Sequence, residues 1–536
     1  MKKMISILTT GIVLMSAASN ALAAGFITGG DMTEVSYIED LGGVYKDFDG
    51  NKVDPFEFMA SEGVNTARIR LSNHPGKGRG DGTYYLPEGY QDEDDCFELC
   101  KRAKKAGMGI QFTFNYSDYW SNGERQIIPA DWVEQIKTDL GYDIKDASFL
   151  NSMTSAQRTE IQSKLGDILY DYTKSYMLRL EAEHIYPEYV SLGNEINGGM
   201  FFPFANTYAA NMNSERFELV WDDNVDEQND IKCPEDWAGL TGILNRGYDA
   251  VKEVSPDSKV VIHLASGSKD SVFTWFFDKY KNNGGKFDVI GASYYPAWSY
   301  NPIETCAMFC KNISARYNKD ILIMETGYNW SQNKKNSHPG QLSPIDGDRK
   351  NAEGYPEKYP YTPEGHKNFL KDLFTALSAP ECRCLGVLYW DPCMIHVEDP
   401  DNENESLSGW AYYESNDLPA GNVVENTTLF DFDGKALSAF EAFEFDYGKV
   451  TGTVWEEMGD GETWIKAMIK NGFTEAKKAW LIVAQYSDGK LTGVSTSHQE
   501  VDAISSASLE VKKPDGAYKP FLWNGVTLEP VEQEAQ

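Results

Sequence analysis

From residue 25 to about residue 447 the chain alternates short apolar, β-branched or aromatic runs with helical patterns, and no other feature narrows its fold as far. Eight runs read as strands: Phe26 to Asp31, Ala67 to Leu71, Ile110 to Tyr116, Tyr189 to Glu195, Lys259 to Leu264, Phe287 to Tyr295, Ile321 to Thr326 and Leu385 to Pro392. Amphipathic helix candidates lie between them, among them Asp92 to Ala106, Ala156 to Ala182, Glu235 to Val254, Pro302 to Tyr317 and Pro363 to Leu377. Eight strands with crossovers predict an α/β fold of the closed (β/α)8 type, a TIM barrel. A doubly wound open sheet would show similar alternation, but its G-x-G-x-x-G fingerprint follows no early strand. The segment exceeds the ~250 residues of a typical barrel, which puts the excess in loops, most obviously after Thr326.

After Phe443-Glu444-Phe445-Asp446-Tyr447 the texture changes to short alternating strands separated by turns such as Ser487-Asp488-Gly489. The organisation expected is a barrel over 24–447 and a small all-β, sandwich-like accessory domain over 448–536. Residues 1–23 read as a secretory signal peptide: Met1-Lys2-Lys3 is basic, an apolar run follows, and Ala21-Leu22-Ala23 supplies an A-x-A site. The protein is therefore expected outside the cell. No later apolar stretch approaches the ~18 residues that span a bilayer, so no membrane partner is expected.

A formal net charge of −33 opposes nucleic acid and anionic lipid as partners. Aromatic residues reach 13% of the chain, including 13 Trp and 30 Tyr, enough for both a core and flat faces for sugar rings. Eight cysteines (96, 100, 233, 306, 310, 382, 384 and 393) would allow disulfides outside the cell. Their His-poor surroundings and the lack of any C-x-x-C favour buried thiols or cross-element disulfides over a metal site.

The chemistry of a barrel sits where its strands end. Strand four ends Leu192-Gly193-Asn194-Glu195 and strand seven ends Met324-Glu325-Thr326, each placing a carboxylate after a fully apolar run. Burial there disfavours a charge unless it has partners or a task. A structural ion pair explains either glutamate alone. Two of them at strands four and seven face each other across the barrel mouth, the arrangement that flanks a glycosidic bond. Asn194 could hydrogen-bond a sugar hydroxyl beside the reacting carbon. Trp120, Tyr294, Tyr295, Trp298, Tyr328 and Trp390 lie at or just beyond strand ends, where rings can pack on sugars or simply fill the core.

Gly193-Asn194-Glu195 with Glu325-Thr326 resembles the large clan of retaining barrel glycosidases. Further landmarks resemble glycoside hydrolase family 53, the endo-β-1,4-galactanases, over residues 27 to 443. They are Gly29-Gly30-Asp31, Gly63-Val64-Asn65, Arg68-Ile69-Arg70-Leu71, Tyr116-Ser117-Asp118 with Trp120, Gln126, Pro129, Trp132, Gly199, Pro203, Phe287-Asp288-Val289-Ile290-Gly291, Ser293-Tyr294-Tyr295-Pro296-x-Trp298, Tyr389-Trp390-x-Pro392 and Leu429-Phe430-Asp431.

The resemblance implies Glu195 as acid/base and Glu325 as nucleophile in retaining hydrolysis of plant cell-wall β-1,4-galactan by a monomer that needs no cofactor. It further implies sugar contacts from Asn194, Asp118, Trp120, Tyr294, Trp298, Trp390 and Arg70, with Arg68 and Arg70 orienting Glu325 or forming a structural ion pair. Some relatives bind calcium in the loop after strand seven, where this chain has Asp346-Gly347-Asp348 and Asn351; Arg349-Lys350 weakens that field, and a solvated turn is the alternative. The chain departs from the family at Asn115, where His is usual, at Ser72, where Trp is common, and at Asp391-Pro392-Cys393-Met394 and Phe201-Phe202-Pro203. Rival readings are a clan-related endoglucanase or mannanase, and a noncatalytic glycan-binding barrel.

Overall fold

The computed structural model describes residues 25–536 apart from 77–85, 124, 214–218, 221–229, 338–339, 341, 343–351, 410–420, 460–461, 474, 525–530 and 534–536. The expected signal peptide and the Asp346 to Asn351 calcium candidate lie outside the described residues.

Eight parallel strands close into a barrel in sequence order: β1 (Ile27–Asp31), β2 (Thr66–Leu71), β3 (Gly109–Phe114), β4 (Tyr189–Leu192), β5 (Lys259–Leu264), β6 (Val289–Ser293), β7 (Asp320–Glu325) and β8 (Cys384–Tyr389). The seam is closed by β1 on β8, with Gly30 opposite Tyr389. The strands are buried almost throughout, β1, β2, β4 and β6 completely, which is why most of them read as largely apolar runs, with Arg68 and Arg70 of β2 as charged exceptions.

Seven helices form the outer ring: α1 (Pro55–Ser61), α2 (Glu93–Lys105), α3 (Ser155–Ala182), α4 (Trp237–Val254), α5 (Asp270–Asn282), α6 (Ile303–Tyr317) and α7 (Pro363–Leu377). Their starts follow capping rules. Asp54, Asp92, Thr154, Asp236 and Thr362 each accept a backbone N–H of the first turn, and Thr154 forms a capping box with Gln157. After β8 the chain ends its crossover in a one-turn helix, Ser438–Ala442, where Phe440 packs edge-on against Phe58 and Phe430.

The C-terminal segment forms two antiparallel-rich sheets from β9 (Val450–Gly459), β10 (Glu462–Asn471), β11 (Lys477–Ser487), β12 (Lys490–Val501), β13 (Ser505–Lys512), β14 (Ala517–Asn524) and β15 (Glu532–Gln533). Their orders are β13-β10-β9-β15 and β12-β11-β14. Alternate residues Ile465, Ala467 and Ile469 of β10 meet Ala479, Leu481 and Val483 of β11 in a small core of their own. Strand β10 is absent from the sequence reading because Lys466 and Lys470 occupy its outward positions and dilute the β-branched signal.

All eight cysteines are free thiols, seven buried and Cys384 half-buried. The cross-element disulfides considered from sequence are not formed; the thiols act as small core residues.

One buried group in the helical ring has a pH consequence. His366 of α7 is fully buried near Tyr389, both ring nitrogens lack a hydrogen-bond partner, and burial pulls its pKa down to about 3. The unfolded chain therefore binds a proton below about pH 6.5 that the folded chain refuses, so stability falls as pH drops through this window. Between pH 7 and pH 5 the wild type should lose about 2 kcal/mol more than His366→Leu, measured by urea unfolding at both pH values; equal losses would contradict this.

Candidate active site

Two local conformations deliver the site. After Leu192 the chain turns through Gly193 at φ 84°, where a Cβ would lie 2.5 Å from Ile196 Cγ2, and Glu195 itself adopts a left-handed conformation at φ 49°, ψ 50°. Such a conformation costs a non-glycine residue about 1 kcal/mol and here lifts the carboxyl off the strand end into the barrel mouth. Glu325 instead is the last residue of β7, registered opposite Ser293 of β6. A carboxylate oxygen of Glu195, a carboxylate oxygen of Glu325 and a ring nitrogen of His263 on β5 all lie within 4.8 Å of one another. The two acids, remote in sequence, therefore converge.

Arg68 sets the charges around them. Fully buried, it donates from Nη1 to Glu325 Oε1 at 2.8 Å and from Nη2 to Asn194 Oδ1 at 2.7 Å, and lies 3.4 Å from Asp31. Tyr295 donates its hydroxyl to the other Glu325 oxygen at 3.1 Å. Glu195 has no such guanidinium contact. Burial, then the negative charge of Glu325, push its pKa up to about 8, against the opposing pull of a Ser293 hydrogen bond and the more distant Arg68. Of the two neighbouring carboxyls, Glu195 is therefore the one whose surroundings favour the protonated form.

The distances alone would let Glu195, His263 and Glu325 meet a cation. Both Glu325 oxygens already accept hydrogen bonds, Arg68 supplies the positive charge, and His263 Nε2 bonds Ser293 Oγ at 2.8 Å. A bound metal would have to displace this guanidinium.

The residues expected at the site divide into two groups. Trp298, 38% exposed, packs against Tyr295 with ring centroids 4.3 Å apart and planes tilted by 51°, and with Glu195, Ser293 and Lys269 lines a cavity of about 120 Å³. Trp390 packs 6.3 Å edge-on to Tyr295 and 6.1 Å from Trp120, making one aromatic wall. Asn194 belongs to the Arg68 network and also donates Nδ2 to Ser121 O at 2.9 Å.

The others hold the scaffold. Arg70 pairs with Asp31 at 2.7 Å, Glu34 at 3.0 Å and Asp391 at 3.4 Å. Both oxygens of Asp118 accept backbone N–H groups, of His74 and Ala130. Tyr294 is fully buried with its hydroxyl on Asn301 O, while Tyr295, next in the extended segment just past β6, turns its hydroxyl to Glu325. The departures Ser72 and Asn115 bond each other, with Gln91 also donating to Ser72 Oγ. His263 and Ser293 were missed from sequence; their signal is a polar residue at an inward position of an otherwise apolar strand.

Comparison with known proteins agrees with this geometry. Residues 27–168 and 154–443 match glycosyl hydrolase family 53. The chain belongs to this family. An endo-β-1,4-galactanase from Bacillus subtilis is 26% identical over 435 residues, covering 78% of this chain and 86% of the relative. An arabinogalactan endo-β-1,4-galactanase from Cellvibrio japonicus is 27% identical, covering 83% and 98%. Among solved structures, the family 53 catalytic domain of Ignisphaera aggregans is 27% identical with a TM-score of 0.59, covering 80% of this chain and 98% of that one.

In this family 53 protein, Arg68→Met should be severe, because it leaves Glu325 buried without its counter-charge. The expected loss is about 3–5 kcal/mol of stability, read by urea unfolding at pH 7. A loss below about 1 kcal/mol would place Arg68 outside the network described.

Proposed function

We propose that this protein is an endo-acting, retaining β-1,4-galactanase in which Glu195 is the general acid/base and Glu325 the nucleophile. The observation that carries the reading is the approach of two carboxyl oxygens to within 4.8 Å. Retaining enzymes hold their carboxyls about 5–5.5 Å apart, whereas inverting ones leave room for a water at about 6.5–9.5 Å.

In the first half-reaction Glu195 gives its proton to the glycosidic oxygen as the C1–O bond breaks toward that oxygen, while Glu325 Oε bonds C1. In the second, Glu195 takes a proton from water, the water oxygen bonds C1, and the ester electron pair returns to Glu325. The charge logic supports this cycle. The charge of Glu325 is the second cause raising Glu195; once Glu325 is an uncharged ester that contribution disappears and Glu195 ionises more readily for its role as base. Arg68 and Tyr295 then receive the returning carboxylate.

The side chains of one barrel complete this chemistry, with no cofactor and no second subunit called for. Trp298 and half-buried Trp120 offer ring faces to galactose units, backed by buried Trp390, and galactan as substrate is supported by the activities named for the bacterial relatives. The basic start, apolar run and Ala21-Leu22-Ala23 site support export, which places the enzyme where plant cell-wall polysaccharide is met.

Purified protein should release reducing ends from linear β-1,4-galactan faster than from cellulose or β-mannan; preference for either of the latter would overturn the substrate. Glu195→Gln and Glu325→Gln should each lower turnover roughly 10³-fold or more while galactan still retards the variants in affinity electrophoresis. Because Glu195 must begin protonated, the alkaline limb of kcat/KM should fall near pH 8, and a limb more than about two units lower would contradict its role.

A further inference from the structure

We propose that Ser293, held by His263, is a positioning residue that steadies the ionised form of Glu195 and so helps it act as base in the second half-reaction. The inference rests on the reading of Glu195 as acid/base and concerns how that residue returns its proton.

The geometry comes from two strands. His263 on β5 and Ser293 on β6 are both buried, and Nε2 lies 2.8 Å from Ser293 Oγ. Ser293 and Glu195 line the same cavity, and a His263 ring nitrogen lies within 4.8 Å of a Glu195 carboxylate oxygen, so the serine hydroxyl is placed to donate to the Glu195 carboxyl. The direction of this short chain follows from the other ring nitrogen. His263 Nδ1 is buried without a partner, and a buried N–H left without an acceptor is rarer than an unused acceptor. The proton therefore belongs on Nε2, which donates to Ser293 Oγ. The serine hydroxyl is then free to turn its own hydrogen toward Glu195, where it favours the carboxylate over the acid.

Burial and the nearby Arg68 keep His263 neutral by moving its pKa well below the ordinary imidazole range. The imidazole thus fixes the hydroxyl without adding a charge that would titrate during turnover. The other groups around Glu195 are Glu325 from β7, Arg68 from β2, Tyr295 just past β6 and Lys269 from the loop after β5. Of these, Glu325 disfavours the ionised Glu195 and Arg68 supports it from a distance. Ser293 is the neutral hydroxyl donor sharing the cavity with the Glu195 carboxyl, and it persists when Glu325 is esterified.

The test is a comparison of wild type, Ser293→Ala, His263→Phe and the double variant on linear galactan, with full pH profiles. Loss of the serine donor should raise the proton affinity of Glu195. The alkaline limb of kcat/KM should then move up by roughly half to one pH unit, while kcat at neutral pH falls roughly 5–20-fold because deglycosylation becomes slower. On an aryl β-galactoside with a good leaving group the variant should accumulate glycosyl enzyme, seen as a burst of phenolate with lowered KM. Ser293→Thr, which keeps the hydroxyl, should restore the wild-type limb. Since His263 is argued to act through Ser293, the double variant should match Ser293→Ala rather than show the product of the two losses. An unmoved alkaline limb in Ser293→Ala, or multiplicative losses in the double variant, would overturn the proposal. Absence of hydrolysis by the wild type would instead defeat the underlying functional reading.

Discussion

A single buried guanidinium organises this protein. Arg68 reaches from β2 to Glu325 on β7, to Asn194 beyond β4 and to within 3.4 Å of Asp31 on β1, so it ties together strands that meet only because the sheet is closed. Removed from water, its charge gains little by itself; buried pairs persist where hydrogen bonds satisfy the remaining donors and acceptors. Here the acceptors are the groups that the proposed chemistry needs in fixed places. Arg70, one turn of the pleat further along β2, does the corresponding structural work at the mouth with Asp31, Glu34 and Asp391.

The two guanidiniums face five acids in this region, and the excess is relieved by protons. Glu34 is pushed up to about 7, chiefly by burial, and Glu195 up to about 8. Glu34 keeps its Arg70 contact, whereas Glu195 is pushed up further without one, and Glu195 is the carboxyl proposed to donate its proton. Strain is concentrated in the same place: Tyr116 after β3, Glu195 after β4, Ser266 after β5 and Asp391 after β8 all take left-handed conformations. These residues end strands and begin the loops that build the mouth.

The barrel was legible because strands covered on both faces are largely apolar, and eight such runs cannot easily be hidden by loops. Glu195 and Glu325 were legible for the converse reason, as acids closing apolar runs. What could not be read was which way each polar neighbour faces. Tyr294 and Tyr295 are adjacent and chemically alike, yet in the extended segment just past β6 one hydroxyl goes to Asn301 and the other to Glu325. Asp118 belongs to a family-like motif, but its oxygens hold backbone amides. His263 and Ser293 needed knowledge of the barrel interior. Strand β10 needed its lysines recognised as the outward half of an alternation. Loop residues outside the apolar pattern, including the calcium candidate, carry no comparable periodic constraint.

The convergence of Glu195 and Glu325 commits the protein to one stereochemical outcome, and the anomeric configuration of the first-formed product reads it directly. Proton NMR of galactan digestion, followed before mutarotation, should show the β-anomer at the new reducing end appearing first and the α-anomer growing in later. Initial appearance of the α-anomer would mean direct displacement by water, and would contradict a nucleophilic role for Glu325.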